Sequence, residues 1–137
     1  METTIVDNDI KVLYVAAKSF PDGIMEAYQK LHGLVPFSPS TNRKYFGLSR
    51  TENGVIGYKA AAEELTLGEA ATLKCDTLIL KKGKYVSQTV SDYAKDIESI
   101  GCTFKELLAT PGIDPEGYCV EWYFNDKDVK CMVRLDE

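Results

Sequence analysis

The sequence predicts an α+β domain in which a strand-helix-strand-strand unit occurs twice. Its strands would form one antiparallel sheet with the helices packed on it. Three observations support this: helical patterns alternate with short β-branched and aromatic runs, Asn53-Gly54 marks a tight hairpin, and the order strand, helix, hairpin recurs. Two like halves related by a pseudo-twofold axis would meet along a seam, which is a natural place for a ligand cleft.

The first half, predicted to span residues 10–62, opens with a strand and a helix. Ile10–Lys18 is a short apolar run rich in Val and Tyr, which favours a strand. Pro21–Leu34 carries apolar residues at helical spacing, and Ser19 is suited to cap its first turn. The proline- and serine-rich stretch 36–42 predicts a loop after the helix.

A β-hairpin is predicted to close the first half. Lys44–Arg50 and Val55–Ala62 are joined by a turn that contains Asn-Gly, and both of these residues tolerate the positive φ angles of tight hairpins. Residues 63–72 show no clear periodicity, so they are predicted to link this half to the second, at 73–135.

The strands of the second half follow the same order. Leu73–Leu80 and Lys84–Val90 are predicted strands. Tyr118–Phe124 and Val129–Leu135 are rich in β-branched, aromatic and Cys residues, and the polar stretch 125–128 supplies a turn between them. The domain is therefore expected to end in a second hairpin.

Helical signals lie between these strands. Ser91 is suited to cap a helix that has Ile97 on its apolar face and ends at Gly101 in a left-handed conformation. Thr103–Glu106 has the pattern of a capping box, which predicts a separate short helix after that glycine.

Composition and charge restrict the class of protein. The 137 residues are 45% hydrophobic and 27% charged, as in an ordinary single soluble domain. The net charge of −5 argues against direct nucleic-acid binding, because phosphate backbones repel acidic chains. The sequence has no apolar run long enough to span a membrane and no signal-peptide pattern, so we expect a cytoplasmic protein.

The cysteines and the single histidine show no metal or cofactor signature. Cys75, Cys102, Cys119 and Cys131 have no CxxC spacing, which indicates small core residues in a reducing compartment. Cys119 and Cys131 fall on the two arms of the last hairpin, so a cross-strand disulfide is the alternative. His32 lies in a predicted helix with no catalytic motif around it, and no cofactor or metal is expected.

The functional prediction depends on Glu121. This carboxylate lies in a strand of apolar and aromatic residues, so it is either a solvated side chain on an outward face or a buried anion that awaits a cation. Strand alternation places Glu121 and Tyr123 on one face and Trp122 and Phe124 on the other. If the larger apolar set faces the helices, Glu121 faces away from them, toward water or a cleft.

The first hairpin supplies further aromatic side chains. Tyr45, Phe46 and Tyr58 would lie across the seam from the Glu121 strand if the halves are pseudo-symmetric. Aromatic faces attract cations, so these rings and Trp122 are candidate walls of a ligand site. Core packing is the alternative role for Trp122.

Two stretches resemble a known family. LKKGKYVSQTV (80–90) is similar to a strand of the GyrI-like family, the effector-binding domain of bacterial transcription activators. Residues 104–135 resemble its closing stretch: a helix, a loop, a Glu-x-Tyr strand, an Asn-Asp turn and a final strand. The resemblance covers residues 73–135 well and the first half mainly in the order of elements. It implies a small-molecule-binding fold built from the duplicated unit.

The resemblance also implies a ligand class. In family members the cleft takes lipophilic, often cationic compounds, with the glutamate of the Glu-x-Tyr motif as buried counter-ion and aromatic rings around the ligand. The 137 residues leave no room for a helix-turn-helix segment, so a sensor is expected to act alone or through a partner protein. The expected ligand-binding residues are Glu121, Trp122, Tyr123, Tyr45, Phe46 and Tyr58.

Two alternative functions follow from the same resemblance. Some family members hydrolyse strained electrophiles with a cleft glutamate as general base, a role that Glu121 would take together with Tyr123 or Tyr58. The family's name also suggests inhibition of DNA gyrase by protein–protein contact, although the sequence has no concentrated acidic run. Binding without catalysis is the favoured prediction.

Overall fold

The computed structural model describes residues 2–20, 22–35, 43–95, 98–125 and 127–136. Its strands are β1 (Glu2–Val6), β2 (Ile10–Ala16), β3 (Tyr45–Glu52), β4 (Val55–Glu63), β5 (Asp76–Leu80), β6 (Gly83–Val90), β7 (Cys119–Trp122) and β8 (Val129–Arg134). Its helices are α1 (Ile24–Leu34), α2 (Glu69–Leu73) and α3 (Glu98–Leu108), with a 3-10 turn at Tyr93–Lys95. Within these described ranges, no helix is long and apolar enough to cross a membrane.

All eight strands form one antiparallel sheet in the order β1-β6-β8-β7-β3-β4-β2-β5. The order is symmetric about the central β3–β7 pair. In one half β2 pairs with β4 of the β3–β4 hairpin, and in the other β6 pairs with β8 of the β7–β8 hairpin. The predicted α+β fold with a duplicated strand-helix-strand-strand unit is confirmed, and β3–β7 pairing is the seam.

Short connections force this sheet to curl. β5 lies at one edge and β6 lies next to the other edge, yet only Lys81 and Lys82 join them. In a flat sheet six strand spacings, about 29 Å, would separate the two strands, whereas this connection spans about 11 Å at most. The sheet therefore forms a curled half-barrel, and Leu80 of β5 packs in the same core cluster as Tyr85 of β6.

The two faces of the sheet carry separate hydrophobic cores. Inside the curl, which we call the inner face, the buried cluster contains Val12, Phe46, Leu48, Ala61, Leu80, Tyr85, Val120 and Met132. On the outer face α1 packs against β2 and β4, where Leu31 is fully buried, and α3 packs against β6 and β8, where Leu107 is fully buried. Each such leucine contributes about 2–3 kcal/mol of burial free energy. The helices leave β3 and β7 between them on the outer face.

Helix α1 begins later than the sequence predicts. Gly23 occupies its N-cap position and no side chain caps it, so the predicted cap at Ser19 is wrong. The Gly23 amide donates a hydrogen bond to the Ser19 carbonyl, and a Cβ at Gly23 would lie 2.7 Å from that oxygen. A tight turn therefore precedes the helix. Pro21 and the predicted loop 36–42 lie outside the described residues.

Strand β1 is absent from the sequence prediction. Glu2–Val6 pairs with β6 and covers what would otherwise be an open strand next to the closing hairpin. Its run of β-branched residues, Thr3 to Val6, was the available signal.

Helix α2 corrects the predicted linker 63–72. It occupies Glu69–Leu73, and the strand predicted from Leu73 begins instead at Asp76. Arg43 donates two hydrogen bonds to the Glu69 carboxylate at 2.9 and 2.8 Å, which anchors α2 beside the start of β3. A contact across 26 residues leaves no local pattern, so periodicity alone does not show it.

Helix α3 also departs from the prediction. It runs through Gly101, whose backbone is not left-handed, and the predicted capping box at Thr103–Glu106 lies in its interior. Phe104 and Leu107 are buried on its packed face. Their burial, about 2–3 kcal/mol each, outweighs the cost of about 1 kcal/mol for a glycine inside a helix. Ile97 lies outside the described residues.

The closing hairpin forms as predicted, but its register excludes the disulfide alternative. Cys119 stands opposite Val133, whereas Cys131 stands opposite Glu121. All four cysteines are free, so the disulfide alternative is wrong. Burial raises the pKa of the Cys131 thiol to about 12, as expected for a core residue. Asp126 of the turn lies outside the described residues.

Two glycines test the path of α3. A Cβ at Gly101 or at Gly112 would meet open space, but Gly112 has a φ of +82° and Gly101 does not lie in that region. We expect Gly101→Ala to stabilise the protein by about 0.5–1 kcal/mol, because alanine favours a helix interior. Gly112→Ala should destabilise it by about 1–2 kcal/mol through left-handed strain. Urea unfolding measures both; a destabilising Gly101→Ala would contradict a continuous helix.

Candidate functional site

Strand β7 places Glu121 on the outer face of the sheet, between the two helices. Its side chain is only 9% exposed and stands opposite Gly47 of β3. The sequence left open whether the larger apolar set of this strand faces the helices; it does not, because Val120 and Trp122 pack in the inner core. Since the curled sheet buries both faces of β7, the larger apolar set does not identify the helix side.

Three tyrosine hydroxyls form a hydrogen-bonded chain with this carboxylate. Tyr58 and Tyr123 both donate to Oε1 of Glu121, at 2.9 and 2.5 Å. The hydroxyls of Tyr28 and Tyr58 are 2.9 Å apart. Because Tyr58 has one hydroxyl hydrogen and gives it to Glu121, Tyr28 is the donor in this contact. The chain thus joins α1, β4 and the end of β7.

Gly47 provides the space for these oxygen atoms. A Cβ at this position would lie 2.0 Å from the Tyr58 hydroxyl, 2.7 Å from Oε1 of Glu121 and 2.8 Å from the Tyr28 hydroxyl. Every other residue type would therefore collide with the cluster. The sequence analysis missed both Gly47 and Tyr28; a glycine inside a strand was the available signal, since it often marks a close approach.

Further aromatic rings surround the tyrosines. Phe20 stacks on Tyr58 with ring centres 5.9 Å apart, and Tyr28 meets Tyr123 edge-on at 6.0 Å. Tyr93 meets Tyr123 from the other side at 5.3 Å. Phe20 is 42% exposed and forms the outer surface of the group. We call these five residues, Phe20, Tyr28, Tyr58, Tyr93 and Tyr123, the aromatic cluster.

The electrostatics of the cluster are unbalanced. Burial raises the pKa of Glu121 above the ordinary carboxyl value, and the hydrogen bonds from Tyr123 and Tyr58 only partly oppose this. No lysine, arginine or histidine that the structure describes forms an ion pair with Glu121. Burial also raises the pKa of Tyr58 and Tyr123, so both phenols stay protonated as donors. Ionised Glu121 thus has no cationic partner among the described residues.

Four of the six predicted ligand-binding residues lie on the outer face. Glu121, Tyr123 and Tyr58 are in direct contact through hydrogen bonds. Tyr45 lies on the same face but is buried in the core beneath α1, beside His32, with ring centres 5.3 Å apart. Three predicted residues therefore come together at one site, and the Tyr45 side chain packs in the neighbouring core.

The other two predicted residues, Phe46 and Trp122, lie on the inner face. They line a separate cavity of about 460 Å³ that the β1–β2 connection borders. The ammonium groups of Lys44 and Lys130 lie 5.9 and 5.6 Å from the Trp122 ring centre. The sheet thus separates these two rings from Glu121.

The site has the chemistry of a receptor for an organic cation or of a proton acceptor. Among the described residues no group of three or more His, Cys, Asp or Glu side chains is arranged to hold a metal ion. One carboxylate and several neutral phenols instead offer a negative charge in aromatic surroundings. A quaternary cation needs charge and ring contact but no hydrogen-bond acceptor.

The raised pKa of Glu121 makes stability depend on pH. The folded state holds this proton more tightly than the unfolded chain, so stability falls as pH rises from the ordinary value of 4.5 through the raised pKa. Glu121→Gln cannot ionise, so its stability relative to wild type should increase over that window, by up to about 1.4 kcal/mol per pH unit. Urea unfolding at several pH values measures this difference. A pH-independent difference would contradict a raised pKa of Glu121 in the folded state.

Comparisons with known proteins show a shared fold. No protein-family model matches the sequence, and no curated protein matches it. Among solved structures, an integron cassette protein from Vibrio cholerae matches with a TM-score of 0.71 and 14% identity, over 98% of this chain and 94% of that one. The structure of SAV2435 bound to tetraphenylphosphonium matches with a TM-score of 0.64 and 13% identity, over 97% of this chain and 93% of that one.

A third similar structure is a hydrolase from Listeria innocua. It matches with a TM-score of 0.57 and 10% identity, over 98% of this chain and 91% of that one. Identities this low establish the fold alone. The fold is consistent with the GyrI-like resemblance of the sequence.

Proposed function

We propose that this chain binds lipophilic organic cations and that Glu121 is their counter-ion. The observation that carries the proposal is a carboxylate only 9% exposed, without a cationic partner among the described side chains. Ionising such a group costs several kcal/mol, and a bound cation would offset that cost. The site therefore favours a ligand that brings its own positive charge.

The surroundings of Glu121 favour a lipophilic cation over a small hydrated one. Both hydrogen bonds from the tyrosines go to Oε1, so the carboxylate is oriented before a ligand arrives. The rings of Phe20, Tyr28 and Tyr93 add apolar surface, and each cation–π contact contributes about 0.5–2 kcal/mol. SAV2435, which shares the fold, is bound to tetraphenylphosphonium, and this supports the choice of ligand class.

Entry of such a ligand requires the aromatic cluster to open. Glu121 is 9% exposed and Tyr28 reaches over it from α1, so a four-ring cation contacts the carboxylate only after side chains rotate. Phe20 is the most exposed ring of the group and precedes α1, which makes it the first to be displaced. In this proposal the protein is a cytoplasmic sensor or sequestering protein of the GyrI-like type, which acts alone or through a partner protein.

Binding of tetraphenylphosphonium tests the proposal. Isothermal titration calorimetry should show binding that weakens at least about tenfold in Glu121→Gln, because the charge pair is lost. Affinity should rise with pH through the raised pKa of Glu121, by up to about tenfold per unit, since the cation displaces a proton. Tetraphenylborate, an anion of similar size and shape, should bind the wild type far more weakly.

The matched control is Glu116→Gln, which removes the same charge from an exposed carboxylate. It should leave tetraphenylphosphonium affinity nearly unchanged. Equal losses in the two variants would reduce the effect to overall charge, and an unchanged affinity in Glu121→Gln would refute the counter-ion role.

Hydrolysis is the second candidate function, and one observation favours it. A carboxyl with raised pKa that is hydrogen-bonded to two phenols suits a general base, and the fold is shared with a hydrolase from Listeria innocua. On an epoxide, Glu121 would take a proton from the water as its oxygen attacks a ring carbon, and Tyr123 would donate a proton to the ring oxygen as the C–O bond breaks. The proton on Glu121 would then pass to the Tyr123 phenolate along their hydrogen bond. The described residues show no feature specific to gyrase inhibition, so that alternative stays a prediction from the resemblance.

Turnover of a lipophilic epoxide separates catalysis from binding. If the site is hydrolytic, styrene oxide should yield its diol faster than in buffer, and Glu121→Gln should abolish the excess rate. Tyr123→Phe should lower the rate while leaving tetraphenylphosphonium binding measurable. Cation binding together with a diol rate equal to that of buffer would establish a binding protein without this activity.

A further inference from the structure

The two oxygen atoms of the Glu121 carboxylate have different surroundings. Oε1 accepts hydrogen bonds from the hydroxyl groups of Tyr58 and Tyr123, at 2.9 and 2.5 Å. A carboxylate oxygen has two lone pairs, so these two bonds use the acceptor capacity of Oε1. Oε2 accepts no hydrogen bond from any residue that the structure describes. One oxygen of the carboxylate is therefore satisfied and the other is open.

The three phenols that surround Glu121 have no spare hydrogen for Oε2. Each phenol carries a single hydroxyl hydrogen. Tyr58 and Tyr123 give theirs to Oε1, and Tyr28 gives its own to Tyr58. Rotating one of these hydroxyls toward Oε2 would break the hydrogen bond that it already makes. The chain of tyrosines thus satisfies Oε1 at the expense of Oε2.

Oε2 is also the oxygen that an incoming ligand meets first. Glu121 is 9% exposed, and Oε2 lacks a partner without being sealed from solvent. Oε1, in contrast, lies over Gly47 beside the tyrosine hydroxyls: a Cβ at Gly47 would be 2.7 Å from Oε1 and 2.8 Å from the Tyr28 hydroxyl. A group that enters from solvent therefore approaches the open acceptor and not the filled one.

Protonation of Glu121 points to the same atom. Burial raises the pKa of Glu121, so the folded protein holds this proton more tightly than an exposed carboxyl would. Because Oε1 already accepts two phenol hydrogens, the proton of the neutral carboxyl belongs on Oε2. Ionisation removes that hydrogen and leaves Oε2 without a hydrogen bond in a largely buried site, which is costly. A donor on the ligand would take the place of the lost hydrogen.

We propose that the ligand of this site is a protonated lipophilic amine whose N–H group donates to Oε2 of Glu121. This preference rests on the proposed function, in which Glu121 is the counter-ion of an organic cation, and it narrows the class of cation. A tertiary ammonium ion matches its single N–H to the single open oxygen, and its carbon substituents can pack on the aromatic cluster. A quaternary ion carries the same charge but has no hydrogen to donate, and hydrogen bonds between charged partners are the stronger kind.

Two cations that differ at this one hydrogen test the proposal. Dibenzylmethylammonium has one N–H group, whereas dibenzyldimethylammonium has a methyl group in its place, and both carry one positive charge at neutral pH. The added methyl increases the apolar area, so burial alone would favour the quaternary ion. Isothermal titration calorimetry of the full chain should instead show at least about tenfold tighter binding of dibenzylmethylammonium, because only this ion makes the charge-assisted hydrogen bond.

Glu121→Gln tests the same contact from the protein side. Since Tyr58 and Tyr123 both donate to one oxygen, the amide carbonyl should take the place of Oε1 and the amide NH₂ group that of Oε2. The open acceptor thus becomes a donor of nearly the same shape. Both cations should bind this variant more weakly, and the preference for dibenzylmethylammonium should disappear. The matched control, Glu116→Gln at an exposed carboxylate, should leave both affinities and their ratio unchanged.

The possible results separate this preference from the proposed function. Equal affinities of the two dibenzyl cations, both lowered in Glu121→Gln, would overturn the preference and leave the counter-ion role in place. Binding of tetraphenylphosphonium without either dibenzyl cation, or a preference that persists in Glu121→Gln, would overturn it as well. If none of the three cations binds, the proposed function fails too. The comparison of two ligands on the wild type needs no variant, and far-UV circular dichroism establishes that the variants are folded.

Discussion

The pairing of Gly47 with Glu121 across the central seam is the constraint on which the site depends. β3 and β7 pair along the seam between the two halves, and this position lies between the helices on the outer face. Because Gly47 has no side chain, the Tyr28 and Tyr58 hydroxyls reach over its Cα toward the opposite strand. The strand pair that joins the halves thus also leaves room for the hydroxyl groups that surround the carboxylate.

Two opposing effects act on the ionised carboxylate of Glu121: hydrogen bonds stabilise its charge and burial destabilises it. Hydrogen bonds to a charged group contribute about 1.5–3 kcal/mol each, and Glu121 accepts two of them, whereas burial of an unpaired charge costs several kcal/mol. Burial is the larger effect, since the pKa of Glu121 is raised despite both hydrogen bonds. Burial therefore makes ionisation of Glu121 harder in the folded protein than in the unfolded chain. A ligand with its own positive charge would favour ionisation, which couples cation binding to proton release.

Local signals explain what was predictable from the sequence. The Asn53-Gly54 turn, the periodicity of α1 and the aromatic strands around Glu121 report on neighbours in the chain, and the corresponding elements form. The predicted helix end at Gly101 was wrong because α3 packs on β6 and β8, which favours a continuous helix. The predicted linker around Glu69 contains a helix because Glu69 forms an ion pair with the distant Arg43. In the candidate site, Glu121 and Tyr123 are neighbours in the Glu-x-Tyr pattern of one strand, whereas Tyr28 joins them only through tertiary structure.

The division of Tyr58 and Phe46 between two faces has the same origin. Each strand places alternate residues on opposite faces, but in most sheets one face is wet and the sequence shows which. Here the two-residue connection between β5 and β6 curls the sheet, so that its inner face buries a hydrophobic core as the face beneath the helices does. Alternation then separates Glu121 from Trp122 without indicating which of them meets the helices. The same curl that makes the helix side of β7 unpredictable from alternation also creates the inner-face cavities. One short connection thus gives the sheet two chemically different faces.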